Sequence, residues 1–167
     1  MPTELGALSG IVMAGLGGGL DPELVVGDVV VDAESDSRIA QELPYRKVRM
    51  HTAQEIVGTP AEREKLFRAS GAGVVEMENE LVRELAKRLG VAYVGIRAIS
   101  DAAGDALNPA LVRVVDEVGR VKVGALAREL AKRPGMVGEL NRVRKQAGLA
   151  VANLAQALRC VVEKFPS

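Results

Sequence analysis

Two short carboxylate motifs, each directly after an apolar run, are the residues of this chain best suited to chemistry. Glu76-Met77-Glu78 follows Val74-Val75, and Ser100-Asp101 follows the apolar run at residues 92–99. Ligands of open α/β sheets collect at the carboxyl ends of strands, so two acids at two such ends define one candidate site. An ionised carboxylate is acceptor-only and takes two hydroxyls well, as on a ribose, and the dipole of a helix start favours negative charge there. A second carboxyl in a partly desolvated loop can serve as a general acid. Glu78 and Asp101 together therefore suit cleavage of an N-ribosyl bond, in which the base is protonated as it leaves and the sugar becomes an oxocarbenium ion. Helix capping or a solvated surface would use the same residue types, and spacing alone leaves those readings open.

The elements that must position these acids can be read around them. Residues 77–89 carry Met77, Leu81, Leu85 and Leu89 at i, i+4 spacing on one face of a helix, and Gly90 closes it. Residues 92–99 are almost continuously apolar apart from Arg97, as in a strand covered on both faces. Upstream, Thr59-Pro60-Ala61-Glu62 combines a cap, a first-turn proline and a capping box, and the helix it starts ends before Gly71. Residues 25–31 form a β-branched strand interrupted by Gly27-Asp28, residues 32–44 read as a polar loop, and residues 46–51 alternate like a half-buried strand. The apolar run at residues 8–14 stops at Gly15-Leu16-Gly17-Gly18-Gly19, which reads as a tight turn or as a close approach of backbone to a ligand. Asn108-Pro109 starts another helix, Gly119 breaks it, and a further helix runs to about Lys132. From about 135 to 165 a long helix repeats Leu140, Val143, Ala147, Val151, Leu154, Leu158, Val161 and Phe165, for packing on the sheet or for a helical dimer seam. Strands alternating with helices predict an α/β fold, three-layer αβα with a central mixed sheet, in one domain over residues 1–167.

Composition narrows the function classes. A net charge of +0 and 2% aromatic residues argue against a nucleic-acid surface. The single cysteine, Cys160, sits in a helical apolar pattern, fits a packed thiol, and is consistent with a cytoplasmic protein. The sequence has no signal-peptide pattern and no apolar run of about 18 residues that would span a membrane. The only histidine, His51, ends a strand and reads as solvated or hydrogen-bonded rather than catalytic.

V-V-E-M-E at residues 74–78, followed by I-R-A-I-S-D at residues 96–101, resembles the purine nucleoside phosphorylase and methylthioadenosine/S-adenosylhomocysteine nucleosidase superfamily. The A-G-L-G-G-G-L-D-P-E-L-V-V-G-D-V-V-V of residues 14–31 is similar to that family's glycine turn and following strand, and the C-terminal helices look like those of its hopanoid-associated phosphorylase subgroup. The resemblance implies that Glu78 holds the ribose hydroxyls, Met77 floors the sugar pocket, and Asp101 protonates or hydrogen-bonds the purine at N7 with Ser100 beside it. Gly15 and Gly17 would line the sugar and nucleophile side, and Arg97 would pair with a nearby acid to support the loop. It implies a small-molecule nucleoside as ligand, with no cofactor and no metal. The chain departs from the family by lacking the usual N-terminal strand-helix portion, by Met13 and Leu16 where phosphorylases place an arginine and a serine, and by having no aromatic counterpart at residues 52–59. Two functions follow as expectations: a nucleosidase, with hydrolysis ahead of phosphorolysis, or a degenerate paralogue that binds a nucleoside or acts as a structural subunit. An uncovered sheet edge would predict a homodimer or larger homo-oligomer.

Overall fold

A computed structural model of the chain describes residues 8–35, 37–108 and 135–164. The expected helices at residues 109–132 and the end of the C-terminal pattern at Phe165 lie outside the described residues.

The architecture is α/β, built on a mixed six-stranded sheet. The chain runs β1 (Gly10–Gly19), β2 (Val29–Asp32), α1 (Arg38–Glu42), β3 (Arg46–Val48), β4 (Met50–Thr52), α2 (Pro60–Ser70), β5 (Val74–Glu76), α3 (Asn79–Leu89), β6 (Ala92–Asp101) and α4 (Met136–Val162). The strand order is β3-β2-β6-β1-β5-β4. β1 lies parallel to β6, β2 antiparallel to β6, and β5 antiparallel to β1, while β3 and β4 extend the two edges in parallel pairs.

Residues 46–51 are not one strand. Val48 pairs at one edge of the sheet and Met50 at the other, with only Arg49 between them. The sheet therefore curls until its edges meet, and Leu24, Val30, Val48, Met50, Val74 and Ile99 pack inside the curl. The glycine stretch is not a turn either, since β1 continues through Gly19. Missing side chains there let neighbours close in: a Cβ on Gly17 would lie 2.6 Å from Val74 Cγ1, and one on Gly18 3.1 Å from Asp101 Oδ2. Gly17→Ala should cost about 1–3 kcal/mol by overpacking; a chemical-denaturation midpoint equal to that of the wild type would contradict this close fit. The chain turns instead at Gly27, whose φ of 93° favours glycine. The polar segment after β2 contains the short α1, capped by Ser37, whose hydroxyl accepts from Ala40 N–H.

The punctuation of α2 and α3 follows the residues. Thr59 and Glu62 form the reciprocal capping box with Pro60 in the first turn, and Gly71 and Gly90 close the two helices in the left-handed conformation. Thr59→Ala should lower stability by about 1 kcal/mol, as a shift of the urea midpoint at unchanged slope. α3 packs against β1, β6 and β4; α4 packs against β6, β1 and β2. Val94, Ile96 and Ala98 of β6 meet Ala150, Leu154, Ala157 and Val161 of α4 in the largest core cluster. Each large aliphatic side chain buried there contributes about 1.5–3 kcal/mol. The contact stripe of α4 differs from the spacing expected at its centre: Ala150 and Ala157 are buried while Val151 is exposed, because small side chains let the helix approach the sheet closely. Among the described residues no helix is long and apolar enough to cross a membrane.

Candidate functional site

The sheet brings three chain segments to one cavity. β5 is only three residues long and pairs with β1 at its last two residues, Gly18 and Gly19. It runs opposite to β6, yet this end-on pairing sets Glu76-Met77-Glu78 beside the end of β6. The β1–β6 ladder runs in step from Gly10–Ala92 to Gly17–Ile99 and then slips, so that Gly18 faces Asp101 and Ser100 is left as the extra residue. Such a bulge re-aims side chains at a strand end.

The resulting cavity of about 280 Å³ is lined by Gly17 and Leu16 of β1, by Met77 and Glu78, and by Ser100 and Asp101. Gly18, Val75 and Glu76 also line it, and further wall comes from Glu55, Ile56 and Val57, from Arg63 of α2, and from Leu107. Five of the six residues singled out from the sequence thus share one cavity. Gly15 stands apart: its Cβ position lies 3.4 Å from Arg97 Nη1, so this glycine makes room for a guanidinium. Among the described residues no aromatic ring lines the cavity in place of the one missing from residues 52–59, and that wall is aliphatic apart from Glu55.

Glu76 and Glu78 have different surroundings. The Glu76 side chain is buried and accepts from Thr52 Oγ1 at 2.5 Å, from the N–H groups of Glu78 and Asn79 at 2.8 and 2.6 Å, and from Arg97 Nη2 at 2.9 Å. Burial pushes its carboxyl up, but hydrogen bonds from Thr52, the Glu78 amide, Arg97 and the Asn79 amide outweigh it and hold the group below its ordinary value. Glu76 therefore caps α3, whose own N-cap residue Glu78 makes no side-chain capping bond. Glu78 is left exposed on the cavity wall, free to accept from a ligand. Arg97 also donates to the carbonyls of Met13 and Ile96, and it pairs with an acid as the sequence suggested.

Asp101 is held from both sides. Ser100 Oγ donates to Oδ1 at 2.5 Å, and Arg63 Nη2 forms an ion pair with Oδ2. The Arg63 side chain is fully buried, and its other N–H groups bond the carbonyls of Val57 and Ala102 at 3.1 and 2.8 Å. It thus fastens α2 and the wall at residues 55–57 to the loop after β6. Sequence reasoning missed Arg63; its signal was a charged residue on the same helical face as Leu66 and Phe67. A carboxylate has about four lone-pair sites, so two remain on Asp101 for a ligand. Asp105 continues the polar rim: it receives the Ala102 N–H at 2.9 Å and pairs with Arg142 of α4 at 2.9 Å. A second hollow of about 230 Å³ shares Leu16, Ser100, Asp101 and Leu107 and extends towards α4.

A sequence profile described as the phosphorylase superfamily matches residues 32–132, well over half of the chain and both acidic motifs. The chain belongs to the phosphorylase superfamily. A search of curated protein sequences gives no match. Solved structures agree at the level of fold. The futalosine hydrolase of Helicobacter pylori superposes with a TM-score of 0.61 at 16% identity, over 95% of this chain and 69% of that one. The S-adenosylhomocysteine nucleosidase of Streptococcus pyogenes, in complex with 5-methylthiotubericidin, gives 0.59 at 15% identity, over 95% and 69%. The 5'-methylthioadenosine/S-adenosylhomocysteine nucleosidase of Campylobacter jejuni gives 0.50 at 21% identity, over 60% of this chain and 59% of that one. Within the superfamily fold, this chain offers an exposed acid, a clamped acid with a serine beside it, and an aliphatic wall around one cavity. Such a set can bind hydroxyls at one end and a heterocycle with a polar edge at the other.

Proposed function

We propose that the chain cleaves the N-glycosidic bond of a purine nucleoside or a related N-riboside by hydrolysis. The observation that carries this reading is the cavity shared by Glu78, Met77, Ser100, Asp101 and Gly17, with the two acids in different settings. Glu78 accepts the ribose hydroxyls, and Met77 packs under the sugar. Ile56, Val57 and Leu107 flank the base, and Asp101 addresses it at N7, held by Ser100 and Arg63. As the C1′–N9 bond breaks, its electron pair moves into the purine, a proton taken up from solvent by Asp101 is passed to N7, and water adds to C1′ of the oxocarbenium ion and releases a proton to solvent. Glu55 is a further exposed acid of the cavity lining.

Hydrolysis is favoured over phosphorolysis by the lining. Leu16 presents an apolar side chain to the cavity, Met13 uses its carbonyl to hold Arg97, and the Arg63 guanidinium is engaged by Asp101 and two carbonyls. The nucleosidases and the hydrolase with which the fold superposes support the same direction.

The test is incubation of the chain with 5'-methylthioadenosine, adenosine and inosine, with and without phosphate, followed by chromatography for free base. Base released without phosphate is the expected result. Release only with phosphate would make the protein a phosphorylase, and saturable binding with no release would leave a nucleoside-binding protein.

A further inference from the structure

The first turn of α3 is fastened to the sheet by polar bonds, not by the leucines of the helix. Leu81, Leu85 and Leu89 are exposed, whereas Asn79 and Ala86 are buried. Asn79 directly follows Glu78, and its side chain uses both ends of its amide. Nδ2 donates to Asp32 Oδ2 at 2.6 Å, and Oδ1 accepts from the Tyr93 hydroxyl. Asp32 ends β2, Tyr93 lies in β6, and the strand order places β1 between these two strands and β5. The amide therefore reaches from the end of β5 across β1 to two further strands. Gly95 of β6 leaves the space in which the three side chains meet: a Cβ there would lie 2.5 Å from the Tyr93 hydroxyl, 2.9 Å from Asp32 Cβ and 3.0 Å from Asn79 Oδ1. The main chain is tied down at the same place, since the N–H groups of Glu78 and Asn79 donate to Glu76, and that of Glu80 donates to Thr52 Oγ1 at 3.1 Å. The exposed Glu78 side chain makes no capping bond, so the backbone beneath it sets its direction.

We infer that Asn79 is a positioning residue: its amide, held between Asp32 and Tyr93, aims the Glu78 carboxylate at the sugar end of the cavity. This rests on the proposed role of Glu78 in holding the ribose hydroxyls. The chemistry of the pair asks for an amide. The Asp32 carboxylate needs a donor and the Tyr93 hydroxyl needs an acceptor, and asparagine supplies one of each on a single planar group. A buried network whose members are all satisfied fixes one arrangement, and removing one member leaves the others unpaired in the interior. The start of α3 is then free to shift, and Glu78 shifts with it. Two neighbouring hydroxyls engage both carboxylate oxygens at once, so a small displacement weakens both contacts. Asp101 is held separately by Ser100 and Arg63, so its chemistry is spared.

The experiment measures release of base from adenosine and from 2′-deoxyadenosine by the full chain and its variants. The wild type is expected to prefer adenosine in kcat/KM. Asn79→Ala should raise KM for adenosine by about tenfold, with kcat changed less, and should shrink the preference for ribose. Tyr93→Phe removes a single buried hydroxyl; it should act in the same direction by a smaller factor, and it carries the test if circular dichroism shows Asn79→Ala unfolded. In a Glu78→Ala background, adding Asn79→Ala should leave KM unaltered. Loss of folded protein alone would lower both rates equally and leave the ratio of the two substrates untouched. An unchanged ribose preference in the folded variants, or an Asn79→Ala effect of equal size with and without Glu78, would overturn the inference while the role of Glu78 stands. A wild type that releases no base, or a Glu78→Ala variant with the KM and sugar preference of the wild type, would remove the role of Glu78 itself and this inference with it.

Discussion

Arg97→Met lowers folding stability by about 3–5 kcal/mol, read from urea unfolding at neutral pH, because it strands a buried carboxylate. Both partners of the pair are almost fully buried, with side-chain exposures of 1% for Arg97 and 2% for Glu76. Methionine preserves much of the volume but leaves Glu76 with the amides of Glu78 and Asn79 and the Thr52 hydroxyl alone. The same contacts fix the sign of the pH dependence. The Glu76 carboxyl is held below its ordinary value, so its contribution is present above the unfolded-state value and is lost as pH falls through the folded one. Without Arg97 the folded-state value rises towards or above the unfolded one. The gap between wild type and variant is therefore widest near neutrality and narrows on acidification. Adding Glu76→Gln to Arg97→Met should recover part of the loss, since the uncompensated charge is then gone. A single variant as stable as the wild type would show that the pair adds nothing beyond its packing.

Asp101→Asn should reduce kcat for the proposed hydrolysis by about 10²–10⁴, the usual contribution of a positioned general acid. KM should change less, because the proposed reading assigns ribose recognition to Glu78 on a different segment. Asparagine keeps an acceptor for Arg63 and nearly the same shape, so the loss in rate should exceed any loss in folded protein at the assay temperature. Glu78→Ala gives the complementary pattern, a raised KM for nucleosides with little change in stability, since Glu78 is exposed and makes no side-chain cap. Equal rates for wild type and Asp101→Asn would remove Asp101 from the chemistry.

What could be read from the sequence was what is encoded locally. Thr59, Pro60 and Glu62 announce the start of α2, Gly71 and Gly90 announce two helix ends, and the apolar run into Ser100-Asp101 marks β6, because caps and periodicities act over a few residues. The glycine stretch of β1 misled because glycine signals a turn only when the backbone needs positive φ. Here it signals crowding by Val74, Asp101 and Arg97 from distant segments. The alternating segment at residues 46–51 looks like one strand because nothing local reveals that its halves pair at opposite edges of a curled sheet. In the candidate site, the acids stood out by their place after apolar runs. Arg63 did not, since its partner Asp101 lies 38 residues away. The four-residue spacing of Met77, Leu81, Leu85 and Leu89 suggested the packing face of a helix, but Met77 precedes α3, the three leucines are exposed, and the face on the sheet is that of Asn79 and Ala86.

The Arg63 clamp ties the lifetime of the site to that of one helix. Asp101 shares no ladder with α2; the loop after it reaches α2 through the Arg63 guanidinium and reaches the chain just before α2 through the Leu107 N–H, which donates to the Gly58 carbonyl. Detachment of α2 in a sub-global opening would thus dismantle the cavity while the long β1–β6 ladder stays closed. Native-state hydrogen exchange should then show the amides of α2 and of the loop after Asp101 opening together, well before those of β6, and the protein would pass through a folded but siteless form on its way to unfolding.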